Sequence, residues 1–324
     1  MRILTNFERF EPEWRLPDGA SGTARMERTF AGFRRHLSEA DLLLINCDVG
    51  LVYRLCCYFL LFPAKRKPIV AVDLVLRKPR NRAARLAAAA KRRLLARVDH
   101  FIHYFRDLNG YAQWYGIGAG RSSFVGFKPN LRYRYEPRVD APEGEYVLCF
   151  GRSQRDYDTF LEAISGLGYP AAIPRPDFAA LRAHDSRFTW PLERMPSNVR
   201  ILEDDGSQEA MVRAIEGARI VALPLLSSTL AASGISVYLN AMLLNKPVVI
   251  SAGPGVSDVL TGEARIVPPE NPGALAEAIA RLWTDDAQRR AIAAAGQRYA
   301  RSLGGEPELR QRVLAAAIQW FGAR

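Results

Sequence analysis

Short apolar runs alternate with helix-length stretches along this chain, and the alternation happens twice. In the first half the runs are "MRILTNF", "DLLLINCD", "KPIVAVDL", "HFIHYF" and "SSFVGFKP". The stretches between them predict helices over Thr23–Leu37, Leu51–Leu61, Asn81–Val98 and Leu108–Tyr115. In the second half "EYVLCFGR", "NVRILED", "RIVALPLL", "KPVVISA" and "EARIVPP" read as strands. Helices are expected there over Tyr157–Ser165, Ser207–Gly217, Gly234–Leu244 and Pro272–Leu282, then over Ala287–Ser302 and Pro307–Phe321. Runs that are apolar throughout suit strands covered on both faces, so the pattern predicts parallel sheets flanked by helices. The expected class is α/β, with two Rossmann-like domains whose sheets face a cleft. The segment "RYEPRVDAPEGEY", rich in proline, glycine and charge, reads as the linker near residue 140. That divides the chain into 1–140, 141–306 and a final helix at 307–324.

A length of 324 residues with 48% hydrophobic content is ample for two cores. The four cysteines show no regular spacing and two are adjacent, Cys56-Cys57, which argues for a reducing compartment over a disulfide framework or a zinc site. The amino-terminal "MRILTNFERFEPEWR" lacks the apolar core of a signal peptide. The longest apolar run, Leu51–Pro63, is too short to span a bilayer and is broken by Arg54. The expected location is cytoplasmic, peripheral on the inner face of the membrane.

Charge is distributed unevenly. The net +11 of the chain splits into +13 for residues 1–140 and −2 for the remainder. Between Arg54 and Arg97 there are 13 basic residues and one acid, Asp73. Within that window Leu86, Ala90, Leu94 and Val98 share one helical face, while Arg82, Arg85, Arg92, Arg93 and Arg97 lie largely elsewhere. A basic amphipathic helix of this kind reads as a membrane-surface element at Arg77–Arg97, or as a solvated helix packed on its sheet. Nucleic acid is not expected as a partner, because no recognised binding module accompanies the charge.

The stretch "LPLLSSTLAASGISVYLNAMLLNKPVVIS" (Leu223–Ser251) carries the chemistry. A strand runs into a small-residue loop, and Ser233-Gly234 opens a helix. First-turn amides lack intrahelical partners and the helix dipole adds positive potential, so a phosphate fits there. The plainer alternative makes Ser233 an ordinary N-cap. "FGRSQRDYDTFLEAI" (Phe150–Ile164) offers a second glycine turn with Arg152 and Arg155 at a strand's carboxyl end. Glu203-Asp204-Asp205 mimics a metal-binding triplet but is better explained as a loop leading into the next helix.

These motifs resemble the carboxyl-terminal half of GT-B glycosyltransferases, in particular the group 1 family that uses nucleotide-sugar donors. The likeness rests on the glycine-started helix, on Asn240-Ala241-Met242 and Asn245-Lys246-Pro247-Val248-Val249, on the turn Gly253–Asp258, and on "VPP" before an "AEAI" helix. It covers most of residues 145–300. Two glutamates that many members carry correspond here to Ala232 and Asn240. The resemblance implies sugar transfer to an acceptor glycan or lipid-linked sugar, with retention, without a metal, and with the donor as substrate rather than a bound cofactor. It places the donor against Gly151, Arg152, Ser153, Pro224, Ser233, Gly234, Ile235, Ser236 and Asn240, and the final helix back on the first domain. The alternative is a GT-B-like module that binds a nucleotide, lipid or partner without catalysis.

For catalysis the candidates are Arg155, opposite the leaving diphosphate, and Asp73 and His103 at the ends of their strands. Asp73 would act as base or orient an acceptor hydroxyl, the alternative being an ion pair with Arg77 or Lys78. His103 has structural packing as its alternative. The loop Leu16–Thr23 offers glycines for ligand contact or serves as a plain turn.

Overall fold

The structure is a computed structural model and describes residues 1–131 and 143–323. The chain forms two compact units, Met1–Gly126 with Pro307–Arg324 and Phe127–Glu306. The expected boundary near residue 140 lies outside the described residues.

The first unit holds a seven-stranded sheet in the order β2-β3-β1-β4-β5-β6-β7. Its strands are β1 Arg2–Thr5, β2 Glu13–Arg15, β3 Ser21–Met26, β4 Leu42–Asn46, β5 Ile69–Val72, β6 His100–His103 and β7 Ser122–Phe124. Neighbours pair in parallel except β2 with β3. The helices are α1 Phe30–His36, α2 Val49–Leu61, α3 Arg82–Leu95 and α4 Asn109–Tyr115, and the late helix α11 Glu306–Gly322 belongs here too. Both faces of β6 are covered. His100 stacks on Trp320 of α11 at 5.3 Å, and His103 meets Tyr111 of α4 edge-on at 5.4 Å. Being three apart, these histidines point to opposite faces. That explains why β6 is buried along its whole length, its two histidines included.

Two expectations are corrected in this unit, and the alternative of a plain turn at Leu16–Thr23 is borne out. The helix expected over Thr23–Leu37 is a strand followed by a shorter helix. "TARMER" has helix-forming residues, but β3 finds partners on both sides, in β1 and β2, and pairing overrides propensity. The loop Leu16–Thr23 is the hairpin turn joining β2 to β3, closed by Leu16 N donating to Ala20 O (2.8 Å), with Gly19 at φ +92°. In α3 the buried residues are Ala88 and Leu95, while Leu86 and Ala90 are exposed. The apolar stripe expected to pack is therefore rotated partly outward.

The second unit is a six-stranded, all-parallel sheet in the order β10-β9-β8-β11-β12-β13. The strands are β8 Tyr146–Leu148, β9 Ala171–Pro174, β10 Val199–Leu202, β11 Ala218–Leu223, β12 Val248–Ser251 and β13 Arg265–Val267. Between them run α5 Tyr157–Leu167, α6 Phe178–Ala183, α7 Gln208–Glu216, α8 Ile235–Leu243, α9 Pro272–Thr284 and α10 Asp286–Ser302. Asp156, Asn271 and Asp285 cap α5, α9 and α10 through their side chains. Helices α5 and α9 bury Phe160, Leu161, Ile164, Leu275, Ile279 and Leu282 against one face. Strand β9 was not expected from the sequence. Successive strands run outward from β8 through β9 to β10, and from β11 through β12 to β13. The order thus reverses between β8 and β11, which is where ligands of open parallel sheets bind.

Candidate functional site

Two loops leave the sheet at that reversal. After β8 the chain reaches Gly151, at φ +110°, and after β11 it passes Pro224 and ends at Gly234, at φ +79°. Gly234 is the N-cap of α8 and supplies no side-chain cap. The Ser233 cap expected from the sequence is therefore absent, and Ser233 is buried one residue earlier. Val237 and Tyr238 N–H groups turn back to Gly234 O. The amides of Ile235 and Ser236, ahead of them, have no intrahelical acceptor.

Arg155 joins the two loops. It is 1% exposed, and its side chain folds back so that Nε donates to Phe150 O (2.9 Å) and Nη1 to Ser153 O (3.0 Å). A Cβ on Gly151 would lie 2.6 Å from Arg155 Nη2, and one on Gly234 would lie 3.0 Å from the same atom. The guanidinium thus packs against both glycines. Among the described residues no carboxylate pairs with it, and burial pulls its pKa below the usual arginine range. The adjacent Asp156, fully buried, gives its carboxylate to Thr159 N (3.1 Å) and to Arg187, whose Nε donates to Oδ1 at 2.9 Å. A buried guanidinium satisfied only by carbonyls leaves net positive charge under the loop surface.

Arg152 and Ser153 are exposed on the same loop, and Ser153 Oγ lies 3.4 Å from His184 Nδ1. Pro224 O accepts from Asp156 N (3.0 Å), fixing the second loop against the first. Beside them opens a cavity of about 630 Å³, lined by Gly151, Arg152, Tyr157, Arg175, Ser236 and Asn240 among others. The volume suits a nucleotide-sized ligand. Asn240 is buried, its Oδ1 accepts from Asn130 N (2.8 Å) and its Nδ2 donates to Met211 Sδ (3.9 Å), so both ends of the amide are already engaged. Ile235 and Ala232 pack under Gly255, where a Cβ would meet Ala232 Cβ at 2.5 Å. The acidic triplet is occupied locally. Glu203 pairs with Arg175, while Asp204 and Asp205 accept from Gly206 N (2.9 Å) and Ser207 N (2.8 Å) ahead of α7.

Sequence reasoning missed Tyr157, whose hydroxyl donates to Gly151 O (2.8 Å) and steadies the glycine turn from the cavity wall. A tyrosine two residues past Arg155 was the available signal. Asn130 and the bend Pro174–Asp177 also line the cavity but carry no motif.

In the first unit, Asp73 follows β5 at φ +47° and Cys47 follows β4 at φ +53°. Asp73 is half-buried, and burial raises its pKa to about 6 against a weaker lowering by the Cys47 hydrogen bond. His103 is buried among Phe101, Phe105 and Tyr111, and burial lowers its pKa to about 4, so it is neutral near pH 7. Its Nε2 lies 3.4 Å from Ser122 Oγ. The Arg77–Arg97 segment is mostly exposed, with Arg85 over the Trp114 ring and Arg92 donating to Gln113 O.

Comparison with known proteins accords with this geometry. Residues 145–285 match the model of the family "Glycosyl transferases group 1". No curated protein matches the chain by sequence. Among solved structures, sucrose-phosphate synthase from Thermosynechococcus elongatus has a TM-score of 0.65 at 14% identity, covering 100% of this chain and 89% of its own. HepE of Anabaena, in complex with UDP-glucose, has a TM-score of 0.66 at 13% identity, covering 98% and 100%. A trehalose-phosphate synthase from Burkholderia xenovorans has a TM-score of 0.59 at 13% identity, covering 92% and 80%. Residues 145–285, within the second unit, are thus similar to the group 1 glycosyltransferases, and the chain has the α/β fold of the GT-B glycosyltransferases.

Proposed function

We propose that the chain moves a sugar from a nucleotide-sugar donor to an acceptor hydroxyl, with the donor diphosphate over Gly151–Arg155 and the start of α8. The observation that carries this reading is the Arg155 guanidinium, buried against two positive-φ glycines with carbonyls as its only hydrogen-bond acceptors among the described residues. An anion on that surface supplies a counter-charge that no carboxylate among the described residues provides. When the bond from the sugar carbon to the diphosphate oxygen breaks, its electron pair leaves with the nucleoside diphosphate. Arg152 and the amides of Ile235 and Ser236 are positioned to stabilise the oxygen that gains charge. Guanidinium and amide donors of this kind support a metal-independent departure. Asp73, protonated and deprotonated in comparable amounts near pH 6, is suited to orient the acceptor hydroxyl and receive its proton. Retention is the outcome that the family resemblance implies.

The acceptor is a glycan or lipid-linked sugar used in polysaccharide or glycolipid assembly at the cytoplasmic face of a membrane. The +13 charge of residues 1–140 supports that site of action. UDP-sugars are the first donors to test, since HepE was solved with UDP-glucose. A panel of nucleotide sugars scored by thermal shift, followed by donor hydrolysis and transfer assays, tests the reading. One donor is expected to raise Tm in a concentration-dependent way and to be turned over. Silence across the panel would sink the donor site, and binding without turnover would mark a non-catalytic nucleotide-binding module.

A further inference from the structure

Most of the large apolar side chains left exposed among the described residues belong to the first unit: Met26, Leu60, Leu61, Phe62, Val75 and Leu86, against Leu192 in the second. Three of them are consecutive and form the carboxyl end of α2. Leu61 is 75% exposed, and Leu60 and Phe62 flank it. A short 3-10 turn, Pro63–Lys65, follows, and Lys65 Nζ sits 5.6 Å from the Phe62 ring centroid. Lys65, Arg66 and Lys67 come next in the chain, Arg66 paired with Asp99 (2.8 Å), so the apolar tip is flanked by the ammonium groups of Lys65 and Lys67. Helix α3 packs beside α2. Opposite its buried Ala88 and Leu95, α3 presents Arg82, Leu86, Ala89 and Arg93 along one exposed stripe. Leu86 on that stripe is 75% exposed, with an arginine one turn before it and another two turns after.

We propose that the carboxyl end of α2 inserts into the headgroup layer of an anionic bilayer while the exposed stripe of α3 lies along its surface. This deepens, and rests on, the reading of the first unit as membrane-attached. Apolar tips rimmed by Lys and Arg match the membrane interface, where acyl chains lie just beneath anionic phosphates. A soluble polyanion would engage the cations and have no use for Leu60, Leu61 and Phe62. Charge complementarity is strong, with 13 basic residues against one acid between Arg54 and Arg97. Among the described residues no helix is long and apolar enough to cross a membrane.

Sedimentation with phosphatidylcholine vesicles, with and without phosphatidylglycerol, tests the proposal in the full chain. The parent is expected to bind only the anionic vesicles and to be weakened by salt. A K65Q/R82Q/R93Q variant should bind roughly a hundredfold more weakly. An L61S/F62S variant should lose about tenfold or more, and what binding remains should be abolished by salt. These residues are all exposed, so each variant should keep the parent's Tm and its donor-induced thermal shift. Parent-like vesicle binding by L61S/F62S would overturn insertion while leaving charge-driven attachment standing. No binding by the parent at low salt would overturn both. Tight binding to heparin that L61S/F62S leaves untouched, without vesicle binding, would identify a polyanion face and overturn the proposal.

Discussion

The Cys47 thiol donates to Asp73 Oδ2 across 3.7 Å, tying together the ends of two neighbouring parallel strands. Both residues hold positive φ, yet each backbone N–H still extends the ladder, Cys47 to Val72 O and Asp73 to Ile102 O. Non-glycine residues in this region cost about 1–3 kcal/mol each and persist where the surroundings over-determine them. The result is a carboxyl group held at a fixed position, with a neutral donor on one oxygen.

Asp73 gives a pH signature. Its folded pKa of about 6 exceeds the ordinary carboxyl value of 3.8, so the native state holds a proton that the unfolded chain releases. This group favours folding below about pH 4, and the benefit is lost as pH rises through about 6. Asp73→Asn should flatten that contribution and raise Tm near neutral pH, while lowering transfer by about tenfold or more if Asp73 orients the acceptor. Tm measured against pH for both proteins checks the first effect. Superimposable profiles would mean the carboxyl titrates normally.

His100 and His103 push the other way. Burial lowers both to about 4, so the unfolded chain takes up protons below about pH 6.5 that the native state refuses. Stability should be full above that pH and fall as pH drops toward about 4. His103→Phe is expected to shallow the acid limb of the stability curve in urea titrations. An unchanged acid limb would show that His103 is solvated.

Gly234 should tolerate no side chain at the site. Valine there meets both the positive φ and the Arg155 guanidinium 3.0 Å from its Cβ. The expected cost is about 1–3 kcal/mol, with a folded protein that no longer shows a nucleotide-dependent thermal shift. Parent-like nucleotide affinity in Gly234→Val would remove the diphosphate from the start of α8.

Arg152 and Arg155 should separate. Arg152 is exposed beside the cavity, so Arg152→Ala should leave Tm unchanged and lower turnover on the order of a hundredfold. Arg155→Ala strips partners from Phe150 O and Ser153 O and opens a void under both glycines, so it should lower Tm as well as donor affinity. Paired Tm and steady-state measurements distinguish them. Equal behaviour of the two variants would contradict the burial difference.

Asp156→Ala should destabilise by about 2 kcal/mol, less than a fully buried pair because Arg187 is partly exposed. Guanidinium chloride denaturation reads this directly, and a neutral result would mean Arg187 finds Glu270 or Asp158 sufficient.

The alternation of the fold was legible because strands covered on both faces must be apolar throughout, as "IVAV" and "IVAL" are. The two glycine turns of the site were legible for a similar reason, since close backbone approach leaves glycine as the economical residue. Strand β9 was not. "PAAIP" carries two alanines between prolines, and it becomes a strand only because β8 and β10 pair on either side. The outward turn of α3 was also hidden, because Leu86 and Ala90 look like a packing stripe until Ala88 and Leu95 are seen to take that place. The role of Arg155 was half legible. Its position at a strand end was plain, but its retreat beneath the two glycines depends on contacts between segments about 80 residues apart.

The first unit is assembled from both ends of the chain, with α11 supplying Trp320 against His100 and Arg312 donating to Gly126 O (3.1 Å). On the ribosome, therefore, the face of β6 that Trp320 covers must wait, uncapped, until α11 has emerged. The intervening unit, contiguous in sequence, is free to fold while that face is still bare. Nascent chains stalled before α11 will thus carry a finished second unit and an unfinished first one, and chaperone demand should concentrate on the first unit.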